Sequence, residues 1–320
     1  MSLEEFLAEW NSDSPFVHVQ TSGSTGAPKP MLVEKLRMLN SARITCDFLS
    51  LQPDNTALLC MSLDYIAGKM MVVRALERHL KLITVEPSGH PLSGLMENID
   101  FAAMVPMQVY NSMKVPEEYE RLMQIKHLII GGGAIDDALA AELENFPNHV
   151  WSTYGMTETL SHIALRRLNG PDASEWYTPF PSVKVSLNED DCLVINAPQV
   201  CSGRLVTNDI AELSSGRFRI LGRKDNVICS GGIKIQIETI EHLLRPHLHM
   251  SFLITKRPDV KFGEIVVLLT EGSVDEARQV CEQNLSKYHQ PKVYLHVDKI
   301  PLTETGKPAR RKAEIIAKSR

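Results

Sequence analysis

Apolar positions along the first half of the chain follow two rhythms. Short runs at Phe16–Gln20, Ala57–Met61, Lys81–Val85, Phe101–Val105, His127–Ile130 and Val150–Thr153 have strand length, and several are apolar at nearly every position. Continuous apolar character suits strands buried on both faces. Longer amphipathic stretches lie between them, at Val33–Leu49, Gly68–Arg78, Pro106–Met113 and Asp136–Asn145. These predict helices, the last capped by Asp136, whose carboxylate accepts from orphan backbone N–H groups. Repeated β–α alternation predicts an α/β fold with a largely parallel, helix-covered sheet.

After Gly170 the rhythm changes. Val183–Leu187, Cys192–Asn196, Arg204–Thr207 and Arg217–Leu221 are short runs between polar turns, predicting a small antiparallel β unit. Beyond Gly222, the segment Ile228–Ile235 precedes a predicted helix at Ile237–Leu244 and strands at Ser251–Thr255 and Glu264–Thr270. A helix at Val274–Lys287 and a strand at Lys292–Val297 come next. This pattern predicts two domains, residues 1–222 and a smaller α+β domain at 223–320. The short charged boundary near Arg223–Asn226 would act as a hinge rather than a tether.

Composition narrows the functional classes. Of 320 residues, 43% are hydrophobic and 23% charged, and 34 Lys and Arg against 39 Asp and Glu give a formal charge of −5. So mild an acidic excess offers no basic footprint for nucleic acid or an anionic membrane. No apolar run reaches the roughly 18–20 residues that cross a bilayer. Residues 1–10 lack the basic-then-apolar order of a signal peptide. The expectation is a cytoplasmic protein that binds neither nucleic acid nor membrane. Cys46, Cys60, Cys192, Cys201, Cys229 and Cys281 form no C-x-x-C pair, so they are expected to be buried small hydrophobes. His247 and His249, beside Pro246, read as a polar loop rather than a metal site.

Candidate chemistry begins at Thr21-Ser22-Gly23-Ser24-Thr25-Gly26-Ala27-Pro28-Lys29, directly after a predicted strand. Hydroxyls, glycine N–H groups and Lys29 suit an anion, although the spacing is not that of a G-x-x-x-x-G-K-[ST] loop. By itself such a cluster is as often a solvated turn. Further motifs come in order: Gly131-Gly132-Gly133-Ala134, Tyr154-Gly155-Met156-Thr157-Glu158-Thr159 and Thr207-Asn208-Asp209. Then come Gly222-Arg223-Lys224-Asp225 with Ser230-Gly231-Gly232 and Glu238, and finally Pro301-Leu302-Thr303-Glu304-Thr305-Gly306-Lys307. Six ordered motifs across residues 21–307 resemble the adenylate-forming superfamily of acyl-CoA synthetases, peptide-synthetase adenylation domains and luciferases.

That resemblance implies an AMP-forming acid–thiol ligase using ATP, Mg²⁺ and coenzyme A on a small carboxylic acid. Thr21, Ser22, Gly23, Ser24, Thr25, Gly26 and Lys29 would hold phosphate, with Gly132 and Gly133 along the adenine and Tyr154 stacked on the purine. Glu158 would hold Mg²⁺, and Thr157 would donate to the α-phosphate. Asp209 and Arg223 would bind the ribose. Asp225 would be the pivot, and Ser230, Gly231 and Gly232 would line the pantetheine channel. Lys307 would bridge the attacking carboxylate and the α-phosphate, where positioning and charge neutralisation dominate. Read without the resemblance, Glu158 is a helix-end carboxylate, Asp209 a turn residue, and Lys307 a solvated lysine before a basic tail.

The acyl pocket is expected around Tyr65, Gly68, Lys69 and His162, in a pattern most like o-succinylbenzoate-CoA ligases of menaquinone synthesis. Lys69 or His162 would then pair with the second carboxylate of such a substrate; an exposed Lys69 on a helix face is an equal alternative. A fatty or aromatic acid, a carrier-protein thiol as acceptor, and a non-catalytic nucleotide-binding module are the alternatives. Two departures stand out: Pro30 follows Lys29 where glycine is usual, and Asn208 replaces the glycine before Asp209, a place suited to positive φ. Family members carry a subdomain before the phosphate loop, whereas here the loop begins at Thr21. A second copy of the chain would cover the sheet face this shortage exposes.

Overall fold

A computed structural model describes residues 1–20, 30–133, 135, 137–303 and 308–320. The predicted phosphate loop at 21–29, the cap at Asp136 and the catalytic candidate Lys307 lie outside the described residues. The chain divides into two compact units. One comprises Met1–Ser186, Val194–Leu205 and Leu213–Arg219; the other comprises Leu187–Leu193, Val206–Glu212 and Ile220–Arg320.

The first unit opens with α1 (Leu3–Trp10), whose N-terminus is closed by reciprocal hydrogen bonds between Ser2 and Glu5. Strands β1 (Phe16–Gln20) and β2 (Pro30–Glu34) pair antiparallel, Phe16 opposite Glu34. Helix α2 (Lys35–Phe48) begins only after β2. The predicted helix from Val33 therefore starts two residues late, because Val33 is buried in the β1–β2 pair. Then come β3 (Thr56–Leu59), α3 (Ile66–Arg78), β4 (Lys81–Thr84), β5 (Phe101–Met104), α4 (Pro106–Met113) and α5 (Pro116–Gln124). Sequence periodicity missed α5, although Pro116 at its first turn with Glu117 and Glu118 is a helix-start signature.

Next are β6 (His127–Ile130), α6 (Asp137–Leu143), β7 (His149–Gly155), a 3₁₀ turn at Thr157–Thr159, β8 (His162–Arg167) and β9 (Thr178–Pro179). The seven strands lie in the order β4-β3-β5-β6-β7-β8-β9. From β4 to β7 all neighbours are parallel, and β8 and β9 add antiparallel. Every residue of β5 is buried, as the apolar run Phe101–Met104 required. One face packs Leu58, Met104, Leu128, Ile130 and Val150 against Val109, Leu122, Leu143 and Phe146 from the following helices and turns.

Strands β10 (Lys184–Leu187), β11 (Cys192–Asn196), β12 (Arg204–Ser214) and β13 (Arg217–Arg223) form a four-stranded sheet in that order. After the 3₁₀ turn Lys224–Asn226 come β14 (Val227–Ser230), β15 (Ile233–Gln236), α7 (Ile237–Leu244), β16 (Phe252–Asp259), β17 (Gly263–Thr270), α8 (Val274–Asn284), β18 (Val293–His296) and α9 (Arg310–Ser319). Their sheet runs β15-β14-β17-β16, with β18 parallel to β17. Ile240, Leu244, Ala277 and Cys281 cover one face, and Ala313 and Ala317 help cover the other. The stretch after Lys307, read as a basic solvated tail, is thus an amphipathic helix with its small residues buried. Arg310 anchors it through a two-pronged ion pair to Glu241, both contacts at 2.6 Å.

The cysteines divide differently from expectation. Five are buried, whereas Cys229 is exposed, because on β14 it faces outward opposite Lys234. Among the described residues no helix is long and apolar enough to cross a membrane.

Candidate active site

The carboxyl ends of parallel strands are where α/β sheets hold ligands. Three sequence motifs meet that edge in the first unit. Tyr65, Gly68 and Lys69 follow β3, Gly131-Gly132-Gly133 follow β6, and Tyr154 to Glu158 end β7. Gly131 N donates to Met104 O at 3.0 Å, and a Cβ on Gly131 would strike the Thr153 side chain. Gly132 sits at φ +78°. The loop therefore lies bare and close beside β7.

Tyr154 is half-buried, its ring edge-on to Phe218 at 5.0 Å and tilted against Tyr177 at 5.8 Å. Those contacts fix the plane of an aromatic surface. The register slips at Tyr154 and Gly155, and a Cβ on Gly155 would collide with the Ser161 carbonyl and His162 Cα. Only glycine lets the chain fold back so tightly. Thr157 is half-buried and Glu158 exposed on the 3₁₀ turn. That turn is closed by Thr159 Oγ1, which accepts from Met156 N at 3.0 Å.

Beneath this loop runs a buried polar chain. Arg74 Nη2 donates to Ser161 Oγ at 2.5 Å, Ser161 Oγ lies 3.2 Å from His162 Nδ1, and His162 Nε2 lies 3.0 Å from Thr45 Oγ1. Thr45 Oγ1 donates to Ser41 O at 3.1 Å, so it accepts from His162 Nε2–H, which leaves Nδ1 to accept from Ser161. One tautomer gives Thr45, His162 and Ser161 each a donor and an acceptor role. Burial, with Arg74 adding repulsion, holds the His162 imidazole well below its usual range, so it is neutral.

Arg74 was not legible as a site residue. It is 2% exposed, its Nε has no hydrogen-bond partner, and among the described residues no carboxylate pairs with it. Burial lowers its pKa to about 10, which still leaves it charged at neutral pH. The available signal was a lone arginine inside the wholly buried stretch Gly68–Ala75.

Lys69, for which an exposed helix face was the equal alternative, is 3% exposed. Its Nζ donates to His18 O and lies 5.7 Å over the Phe6 ring. Burial pushes its pKa down. His18, Gln20, Pro30, Asp64 and Lys69 border a cavity of about 190 Å³. Tyr65 is half-buried at the N-cap of α3, and Gly68 is required there because a Cβ would meet the Ser62 carbonyl.

The second unit carries the remaining candidates. Arg223 Nη1 donates to Asp209 Oδ1 at 2.9 Å and Nη2 to Asp225 Oδ2 at 2.8 Å. Asn208 and Asp209 lie within β12, which runs on to Ser214 instead of ending at Thr207. Asn208 is therefore extended and not at positive φ, so the conformational reason expected for it does not hold. Ser230 ends β14, and Gly231 and Gly232 make its turn into β15 at φ +58° and +84°. A two-residue hairpin turn of type I′ needs both φ positive, which by itself favours this glycine pair.

Residues 4–207 match the profile of the AMP-binding enzyme family. The chain belongs to that family. Among AMP-binding proteins of known structure, the acyl-CoA synthetase (AMP-forming)/AMP-acid ligase II-like protein of Dyadobacter fermentans is 34% identical. Its TM-score is 0.67, over 96% of this chain and 91% of that one. The 2-succinylbenzoate–CoA ligase of Salmonella typhimurium is 24% identical, over 92% of this chain and 67% of that protein. The o-succinylbenzoate coenzyme A synthetase (MenE) of Bacillus subtilis, solved with ATP and magnesium ion, is 20% identical. Its TM-score is 0.76, over 92% of this chain and 69% of that one, a likeness of fold.

Proposed function

We propose that this AMP-binding enzyme is an acid–thiol ligase whose substrate carries two carboxylates, best matched by 2-succinylbenzoate. Arg74 carries the reading. A guanidinium this buried, with no carboxylate paired to it among the described residues, opposes folding by an effective penalty of about several kcal/mol. An incoming carboxylate offsets that penalty and gains a charge-assisted pair. A fatty or simple aromatic acid brings one carboxylate, which the reaction consumes, and leaves the arginine unpaired. Arg74 also bonds Ser161, close in sequence to Thr157 and Glu158, which links recognition of the spare carboxylate to the reacting end.

The reaction has two halves. The substrate carboxylate attacks the α-phosphorus of ATP, forming the acyl-adenylate and releasing pyrophosphate; the thiol of coenzyme A then displaces AMP to give the thioester. Gly132 and Gly133 leave backbone open to the adenine, Tyr154 stacks on it, and Asp209 with Arg223 takes the ribose hydroxyls. Among the described residues no three His, Cys, Asp or Glu side chains form a metal cage. A lone exposed Glu158 fits Mg²⁺, which keeps water and phosphate oxygens and needs only one or two carboxylates. When bound, the ion neutralises triphosphate charge. Thr157 donates to the α-phosphate, and Lys307 bridges it to the attacking carboxylate. Asp225 is the pivot between the two halves, and the face of Ser230, Gly231 and Gly232 receives the pantetheine arm. The need for ATP and coenzyme A points to the cytoplasm.

A pyrophosphate-release assay with 2-succinylbenzoate, benzoate and decanoate, with and without coenzyme A, tests this. The expected result is kcat/KM at least about 100-fold higher for 2-succinylbenzoate, in line with a desolvated charge pair. Equal turnover of benzoate or decanoate would remove the second-carboxylate reading.

A further inference from the structure

Three consecutive side chains of the turn Lys224–Asn226 are each held from a different place. Lys224 Nζ donates to Asp190 Oδ2 at 2.6 Å. The Asp225 carboxylate accepts from Asn208 Nδ2, 3.2 Å from both oxygens. Asn226 Nδ2 donates to Glu238 Oε1. Asp190 and Asn208 precede the turn in sequence, whereas Glu238 lies beyond it. Lys224 and Asp190 both precede residue 225, and Asn226 and Glu238 both follow it, so a backbone rotation there carries those two pairs along intact. The clasp such a rotation disturbs is the one on the Asp225 carboxylate itself.

The Lys224–Asp190 pair is half exposed on both sides, at 52% and 53%, and a solvated ion pair holds weakly. Among the described residues Asp225 has two side-chain donors, Asn208 and Arg223. Arg223 is shared with Asp209, so Asn208 is the donor committed to Asp225. Nothing in the strand explains the amide. Asn208 is exposed, at ordinary φ, in a β conformation that asparagine disfavours. Its contact with Asp225 does.

Building on the ligase reading, we propose that Asn208 is a positioning residue for the pivot. Its amide holds the Asp225 carboxylate in the setting where Arg223 spans Asp209 and Asp225. It thereby sets the balance between adenylate formation and thioester formation. A glycine at this place leaves the pivot free of that restraint, and an aspartate opposes it with like charge.

Two readouts on the whole chain test this. The first is limited trypsin digestion, following by mass spectrometry the fragments that end at Arg223 or Lys224. Asn208→Gly is expected to speed that cleavage about fivefold, the equivalent of one exposed hydrogen bond to a charged group, and Asn208→Asp to speed it further. The second is the ratio of pyrophosphate exchange to thioester formation from preformed acyl-adenylate. It is expected to shift about fivefold in Asn208→Gly, with KM for ATP unchanged. Unchanged cleavage in both variants overturns the clasp. Faster cleavage with an unchanged ratio overturns the positioning role. A wild-type chain that makes no thioester refutes the ligase reading instead, and the digestion still decides the clasp.

Discussion

Arg74, in the middle of α3, and Ser161, at the foot of β8, are joined across 87 residues by a 2.5 Å hydrogen bond within the first unit. The buried cation thus has neutral partners, Ser161 Oγ and Met71 Sδ, and no countercharge among the described residues. Stability and recognition therefore pull in opposite directions at this residue.

Arg74→Met is expected to raise Tm by about 2–5 °C, since it removes an unpaired charge while filling similar volume. The same change should raise KM for 2-succinylbenzoate about 100-fold. Calorimetry and steady-state kinetics on one preparation check both. A lower Tm with unchanged KM would make Arg74 a structural residue.

Gly155→Ala places a methyl group against the Ser161 carbonyl and His162 Cα, backbone atoms that cannot swing aside. A loss of about 2–4 kcal/mol is expected in urea unfolding, with pyrophosphate exchange reduced more than the folded fraction. An alanine variant of wild-type stability would mean that the loop opens without strain.

Lys307→Ala should abolish adenylate formation, by about 100-fold or more, yet largely spare thioester formation from synthetic acyl-adenylate. Single-turnover assays of each half-reaction read this directly. Equal losses in both would rule out a lysine used in one half alone.

Acid should destabilise the first unit through His127 and His149, whose rings stack at 5.1 Å at the amino ends of β6 and β7. Burial, then repulsion from His149 and Lys126, lowers His127 from 6.5 to about 4; burial and Arg167 also lower His149. Arg167 Nη1 donates to His149 Nδ1, which requires a neutral ring nitrogen. The unfolded chain binds more protons between these values, so stability is complete above pH 6.5 and declines as pH falls toward 4. Urea midpoints from about pH 4 to 8 should show this limb, and His127→Asn should flatten it.

Legibility in the sequence followed how local the physics is. The parallel strands could be read because Phe101–Met104 and His127–Ile130 are apolar without alternation, and the motif at Tyr154–Thr159 because one short loop contains it. Strand β2 was hidden because Val33 also continues the apolar pattern of α2, and only pairing with β1 decides between them. Helix α9 was hidden by Arg310, Arg311 and Lys312, while its burial rests on Ala313 and Ala317. Arg74 was illegible for another reason. One arginine in the buried stretch of α3 means nothing until its bond to Ser161 and the lack of a paired carboxylate among the described residues are known, and both are facts of tertiary structure.

The outward-facing thiol of Cys229 has a practical consequence. Cys46, Cys60 and Cys281 are buried, with burial pushing their thiols up to about 11, 12 and 11, and Cys192 and Cys201 are buried too. Brief treatment with a maleimide dye should therefore mark one position, three residues beyond Asn226, without any engineered cysteine. Its emission would report the surroundings of that turn in real time as ATP, acid and thiol are added in order.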